Sequence, residues 1–436
     1  MVALPQDTQA GCADAPPGGA PAHPAGLRHF KRLLPLLHRL DRVGCDRDTA
    51  GNRKLRMGDY CVVVMLYLFN PMIDSLRSLR RTLGLGPVAK ALGVRRFSLG
   101  SFSESVRLFQ PHHLKLIVQE LAGELVPLSK DPRLAELKHA LTLVDSSVLA
   151  GLCRLTGAAD APTRYSTCRD GRALHGWRLH LQLDLTTFCP HRTELTGARK
   201  RGTGSEPYVL RQSLEPGRCY VDDGGYADRE LFDAIVAVGS SYVTRIREDS
   251  VFDVLEERLL GQEALDANVV RDALVRLAGT APPTNHAVRI VQVQVESHPR
   301  RTRRTQPGTN KSTRYTDVLL IATNLADLPA ELVALVYRYR YSVELFFRLF
   351  KQLLGLRHLL NQREEGVDIQ VYCTVIVCLL IQLISGRKPN KAMRNMVGWY
   401  LIGLATEQDL IDFLNRPDNT GVKRTAKDEL WKKLGY

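Results

Sequence analysis

Residues Tyr337 to His358 read YRYRYSVELFFRLFKQLLGLRH. At 100° per residue on a helix, Tyr337, Arg340, Glu344, Lys351 and His358 fall within roughly 60° of one another, with Arg348 close by. The rest of the circumference is mostly apolar, carrying Val343, Leu345, Phe346, Phe347, Phe350, Leu353 and Leu354. A helix of that composition is expected to be largely buried, yet it holds one acid flanked by bases on a single stripe. A buried carboxylate needs a partner, because taking it out of water unpaired is costly.

Two other acids follow short apolar runs upstream: Asp145 in LTLVDSSVLAG, and Asp223 in CYVDDGGY. If Asp145, Asp223 and Glu344 converge, their hard oxygen ligands suit Mg²⁺ or Mn²⁺ at about 2 Å, two ions standing about 3.5 to 4 Å apart. That is the chemistry of phosphodiester cleavage and transfer. The plainer alternative is that each aspartate caps a neighbouring turn and Glu344 pairs with Arg340 or Arg348. The neighbours weigh toward the first reading: Arg340 by a bidentate fork and Lys351 as a point charge can hold phosphate oxygens. The Tyr337 hydroxyl can bond a phosphate or support the arginine.

Around these acids the pattern is that of an α/β protein. WRLHLQLDL alternates with period two, placing Leu179, Leu181, Leu183 and Leu185 on one face and Arg178, His180, Gln182 and Asp184 on the other. His180 and Asp184 are read as a surface pair. CYVDD, SSYVTRI, HAVRIVQVQVES and TDVLLIATNL are further strand candidates, whereas Val251 to Leu277 reads as helical. The segment from His29 to about Leu128 is helical in pattern, with basic Arg77, Arg80 and Arg81 on one surface and a short unit after Arg95 and Arg96 capped by Ser101 or Ser103. A basic block, HPRRTRR, with Arg300, Arg301, Arg303 and Arg304, joins two of the strands. It is either a phosphate-contacting connection or a solubilising loop.

The 436 residues suffice for two or three domains with a real core, and the net charge of +14 points to a polyanionic partner. Nine scattered cysteines without a C-x-x-C pair argue against a zinc ribbon or a disulfide scaffold and fit a reducing compartment. The apolar runs Cys61 to Phe69 and Val371 to Ile384 read as core elements too short to span a bilayer, so no membrane association is expected. The first 27 residues lack a signal-peptide pattern.

The spacing Tyr337-x2-Arg340-x3-Glu344-x6-Lys351 resembles the Tyr-Arg-Glu-Lys signature of bacterial insertion-sequence transposases of the insertion-sequence-four group, in the Asp-Asp-Glu class. Val144-Asp145-Ser146-Ser147 resembles the first aspartate motif of that group. Asp223-Gly224-Gly225-Tyr226 resembles the second, with Gly224 where an arginine is usual and Asp222 as a neighbouring acid. The resemblance implies an RNase H-like α/β core, a metal-binding triad of Asp145, Asp223 and Glu344, and DNA contacts by Tyr337, Arg340 and Lys351. Arg348, His358 and the four arginines are candidate additions to that DNA surface.

It further implies a DNA transposase that cleaves transposon ends and joins the 3'-OH to target DNA with two Mg²⁺ ions, Mn²⁺ being an alternative. Double-stranded DNA would be the substrate, a homodimer would hold two ends, and the setting would be the bacterial cytoplasm at the nucleoid. The chain is expected to divide into a disordered lead-in (1–27), a helical, DNA-binding N-terminal domain (28–135), the first part of the core (136–245), a mostly β insertion (246–328), the rest of the core (329–385) and a basic helical C-terminal segment (386–436).

Overall fold

The computed structural model describes residues 28–45, 47–49, 51, 54–70, 73, 75–85, 93–94, 97–128, 131–149, 177–197, 204–279, 281–296, 316–354, 360–361, 363–401 and 404–416. The expected lead-in, Arg95, Arg96, Arg300, Arg301, Arg303, Arg304 and His358 lie outside them.

One nine-stranded mixed sheet, flanked by helices, organises the molecule. Its strands are β1 (Ala140–Val148), β2 (Trp177–Asp184), β3 (Cys189–Gly197), β4 (Arg218–Asp222), β5 (Ser241–Ile246), β6 (Phe252–Glu257), β7 (Val269–Leu277), β8 (Val288–Glu296) and β9 (Thr316–Thr323). Their order across the sheet is β3-β2-β1-β4-β5-β9-β8-β7-β6. β1, β2 and β3 are antiparallel neighbours, while β1, β4 and β5 run parallel. β9 then joins β5 antiparallel and carries β8, β7 and β6 outward as an antiparallel extension.

The segment read as helical, 251–277, is instead β6, a one-turn helix (Gln262–Asp266) and β7. Val269, Ala273, Val275 and Leu277 are buried along β7, with Val270 and Arg276 exposed, and this partial alternation needed the neighbouring β8 to become a strand. β3 carries no strand signal of its own, because its CPHRTELTG is polar, and it forms as an edge strand on β2. In the N-terminal unit the cap is Ser98, whose hydroxyl accepts from the Ser101 N–H at 3.0 Å, rather than Ser101 or Ser103.

The two faces of the sheet bury separate apolar clusters. Leu143, Leu179, Leu181, Val221 and Val243 pack with the helices Met57–Phe69, His113–Gly123, Tyr341–Leu354 and Glu364–Ser385. Val144, Tyr220 and Tyr242 face the opposite way, with Leu210, Leu231, Phe232 and Ile235 from the helices Glu206–Arg211 and Arg229–Ala237. The helices of the N-terminal third thus share one core with the sheet.

The last apolar run extends into a 22-residue helix, Glu364–Ser385. By length and composition alone this helix could cross a membrane, which corrects the expectation that the run is too short, but 83% of its most apolar window is buried inside the protein. It packs against the helices Arg28–Val43, Met57–Phe69, His113–Gly123, Tyr341–Leu354 and Lys391–Leu401 as a central core element. Of the described cysteines, Cys61, Cys189, Cys219, Cys373 and Cys378 are buried and free.

Candidate active site

Parallel pairing of β1 with β4 sets Leu143 opposite Val221. The β1–β4 pairing ends there; Asp145, still within β1, and Asp223, directly after β4, each stand two residues beyond that pair. Side chains alternate along a strand, so both acids follow the face of Leu143 and Val221. That face is the one covered by the Tyr341–Leu354 helix, which packs on β1. Crevices outside the carboxyl ends of parallel strands are where sheets of this kind bind ligands.

Asp222 has the opposite parity. It is fully buried, and its Cα partner on β5 is Thr244, whose hydroxyl also stabilises its charged form. Burial pushes its carboxyl well above the usual range, while Arg340 acts in the opposite sense.

Glu344 arrives from the far end of the chain. The stretch read as one helix from Tyr337 is two, Ala330–Tyr339 and Tyr341–Leu354, meeting at Arg340. At the joint Arg340 N–H bonds Tyr337 C=O at 3.0 Å and Val343 N–H bonds Arg340 C=O at 3.2 Å. These are i to i−3 spacings, so the angular arithmetic of a single α-helix does not carry across them. Glu344 and Lys351 still share a face within the second helix, and Lys351 is half-buried in its last turn. Tyr339 ties the end of the first helix down, its hydroxyl donating to Asp131 Oδ2 at 2.6 Å.

Arg340 points inward. Its guanidinium donates to Glu344 Oε1, it is only 13% exposed, and Tyr337, Glu344 and Asp145 all hold its positive charge in place. Tyr337 is buried, whereas Arg348 is exposed and bonds the Tyr341 hydroxyl at 3.2 Å.

The three acids sense one another. Burial is the largest influence on Asp145, raising its carboxyl to about 7; Asp223 and Glu344 push it up further, and Arg340 and the Ser146 N–H pull it down. Asp145 Oδ1 accepts from Ser146 N–H at 2.7 Å, and Asp223 Oδ1 from Gly225 N–H at 2.8 Å. Three hard carboxylates in one field are a donor set that fits Mg²⁺ or Mn²⁺. As placed, no three His, Cys, Asp or Glu side chains among the described residues stand close enough to hold an ion. Glu344, turned to Arg340, would have to rotate inward.

Residues not singled out in the sequence complete the surroundings. Glu206 accepts from Ser146 Oγ and from Arg178 Nη1, and the Arg178 guanidinium also donates to Ser146 Oγ at 3.1 Å. Ser146, directly after Asp145, and Arg178, on the polar face of β2, were the sequence signals, and nothing in the local pattern around Glu206 marked it. His180 is buried and bonds Thr196 Oγ1 at 2.9 Å, and Asp184 caps the β2–β3 turn through the Thr187 N–H at 2.9 Å, so the two are not a surface pair. A cavity of about 470 Å³ lies over β2 and β3, lined by His180, Gln182, Glu206 and Tyr226 and by none of the three acids.

With this geometry established, the sequence profile described as Transposase DDE domain matches residues 137–380, which include all three acids. The chain belongs to that family. A Sinorhizobium fredii protein named as a transposase, y4zB, is 25% identical over 264 residues, 60% of this chain and 65% of that protein. The chain therefore matches slightly less than two thirds of that relative. A cryo-EM structure of the piggyBac transposase synaptic complex with hairpin DNA aligns over 94% of this chain and 85% of that one, at 11% identity and a TM-score of 0.43.

Proposed function

We propose that this member of the transposase DDE-domain family is a DNA transposase of the insertion-sequence-four group. In this reading it cuts the 3' strand at each end of a mobile element and joins the freed 3'-OH to target DNA. The observation that carries the proposal is that Asp145, on β1, lies in the field of both Asp223, just after the parallel neighbour β4, and Glu344, on a helix packed against β1. The strand order β3-β2-β1-β4-β5, with β2 alone antiparallel to both its neighbours, supports an RNase H-like core.

Asp145, Asp223 and Glu344 would hold two Mg²⁺ or Mn²⁺ ions. Such ions, when bound, supply Lewis-acid activation of the attacking oxygen and stabilisation of the leaving one. The chain's own residues do the rest. Arg340 holds Glu344 in the free protein and can exchange that partner for a phosphate oxygen of the bound strand. Tyr337 orients Arg340 from one side, and Lys351 offers a point charge further along the helix that carries Glu344. Arg348 and the exposed Arg77, Arg80 and Arg81 on the Leu76–Leu83 helix extend the basic surface for double-stranded DNA.

His358 and the arginines at 300, 301, 303 and 304 belong to the same proposed surface. Two element ends must be held together for joining, so the working unit is a homodimer, acting on the bacterial nucleoid in the cytoplasm.

The test is incubation of the protein with Mg²⁺, a labelled element end and a supercoiled plasmid. Covalent transfer of label to plasmid is the expected result. Cleavage without joining identifies a nuclease, and intact DNA under all metal conditions overturns the enzymatic reading.

A further inference from the structure

We propose that Glu206 is a positioning residue that sets the spacing of Asp145 and Asp223 for a divalent cation, an inference that rests on the reading of those acids as metal ligands. Glu206 stands in the first turn of the short Glu206–Arg211 helix. One of its carboxylate oxygens, Oε1, accepts from the Ser146 hydroxyl at 2.5 Å and from Arg178. Ser146 is the residue whose N–H fixes Asp145.

The other oxygen faces the second aspartate. A Cβ built on Gly225 would stand 2.9 Å from Glu206 Oε2 and 3.0 Å from Asp223 Oδ1. Gly225 is the residue whose N–H fixes Asp223. A single carboxylate therefore holds Ser146 in β1, beside Asp145, and stands against the Gly225 turn that holds Asp223. No positive φ is involved, only the space between two acids.

The pairing with Arg178 is what makes Glu206 suited to this task. Arg178 is only 10% exposed, so its charge is opposed by little water and the pair is held in one geometry. Oε1, already accepting from two donors, is occupied in holding the Ser146 side, which leaves Glu206 as a strut beside the acids. Buried pairs of this kind contribute little net stability against an apolar replacement and are better understood as setting geometry. Carboxylates that orient ligands from outside are worth about 10- to 100-fold in metal affinity.

The experiment measures Mn²⁺ binding to the full chain by titration calorimetry, with thermal unfolding in metal-free buffer alongside. Glu206→Ala is expected to weaken Mn²⁺ binding about 10-fold or more, while Glu206→Gln, which keeps an acceptor for Ser146 and Arg178, recovers to within about 3-fold of the parent. Gly225→Ala, which leaves Glu206 intact but crowds it against Asp223, is expected to weaken binding as Glu206→Ala does, and it decides the matter should Glu206→Ala not fold. Parent-like Mn²⁺ affinity in a folded Glu206→Ala, or in Gly225→Ala, overturns the proposal and leaves a strut for the short helix. Failure of the underlying reading looks different: the parent and Glu344→Gln would then bind Mn²⁺ equally, or not at all.

Discussion

Arg340 donates to Glu344 one helical turn away, and the same guanidinium lies in the field of Asp145. A residue expected to face DNA is thus the cation that the acids share. Removing it with Arg340→Ala takes away the charge that lowers the Asp145 carboxyl. The expected outcome is that half-maximal cleavage moves to higher pH, together with weaker binding of DNA. A pH–rate profile with unchanged midpoint would place Arg340 outside the acid cluster.

Asp145 carries a signature of its own. Its carboxyl is raised from 3.8 to about 7, by burial first. The folded chain therefore keeps a proton that the unfolded chain releases, so this contribution to stability is present at low pH and lost as pH rises through about 7. In buffer free of divalent cations the unfolding midpoint should fall from about pH 4 to about pH 7, and Asp145→Asn should flatten that slope. Divalent cations should stabilise most at the upper end, where the ligand is deprotonated.

Asp223 and its neighbour Asp222 are separable by substitution. Asp223→Asn is expected to lower cleavage by at least about 100-fold with DNA binding retained, as is Glu344→Gln. Asp222→Asn, on the other face and fully buried, should keep cleavage within about 10-fold and hold or raise the unfolding midpoint, because burial disfavours the charged carboxylate that asparagine lacks. Equal loss in both would mean that Asp222, and not Asp223 alone, serves the acid cluster.

Arg289 of β8 pairs with Asp272 of β7 at 2.7 and 2.9 Å, both buried, and its Nη1 donates to the carbonyls of Leu325 at 2.9 Å and Ala326 at 3.2 Å and also to that of Leu328. Those carbonyls lead into the helix that ends at Arg340. Arg289→Met strands a buried carboxylate and should cost about 3 to 5 kcal/mol in denaturant unfolding. Arg289→Lys, lacking the fork, should recover only part of it.

The arginine-rich connection is tested by salt. Replacing Arg300, Arg301, Arg303 and Arg304 with alanine should flatten the plot of log affinity against log salt by up to about 0.9 for each phosphate no longer neutralised, uniformly across DNA sequences. An unchanged slope leaves these residues as a solubilising loop.

Much of the site was legible because it is written locally. Asp145 and Asp223 each follow a short apolar run, and Glu344, Arg340 and Lys351 recur in the sequence at helical spacing; such periodicities survive in a bare sequence. The misreadings fall where a distant partner decides. β7 became a strand because β8 lies beside it, β3 because β2 accepts it as an edge, and Arg340 turned inward to Glu344, beside Tyr337 and in the field of Asp145.

By itself, then, the sequence determined the α/β class and the strand character of β1, β2, β4, β5, β8 and β9, and it singled out Asp145, Asp223 and Glu344 as the acids to test. Tertiary structure alone decided that β9 closes onto β5, so that strands β6 to β9 extend one continuous sheet, and that the N-terminal helices pack on the Glu364–Ser385 helix. It also brought Glu206 to Ser146 and to the Gly225 turn, across segments with no shared periodicity. The physical reason is common to all three: pairing and burial between distant segments depend on which surfaces meet, and local pattern records only that a surface is apolar or charged.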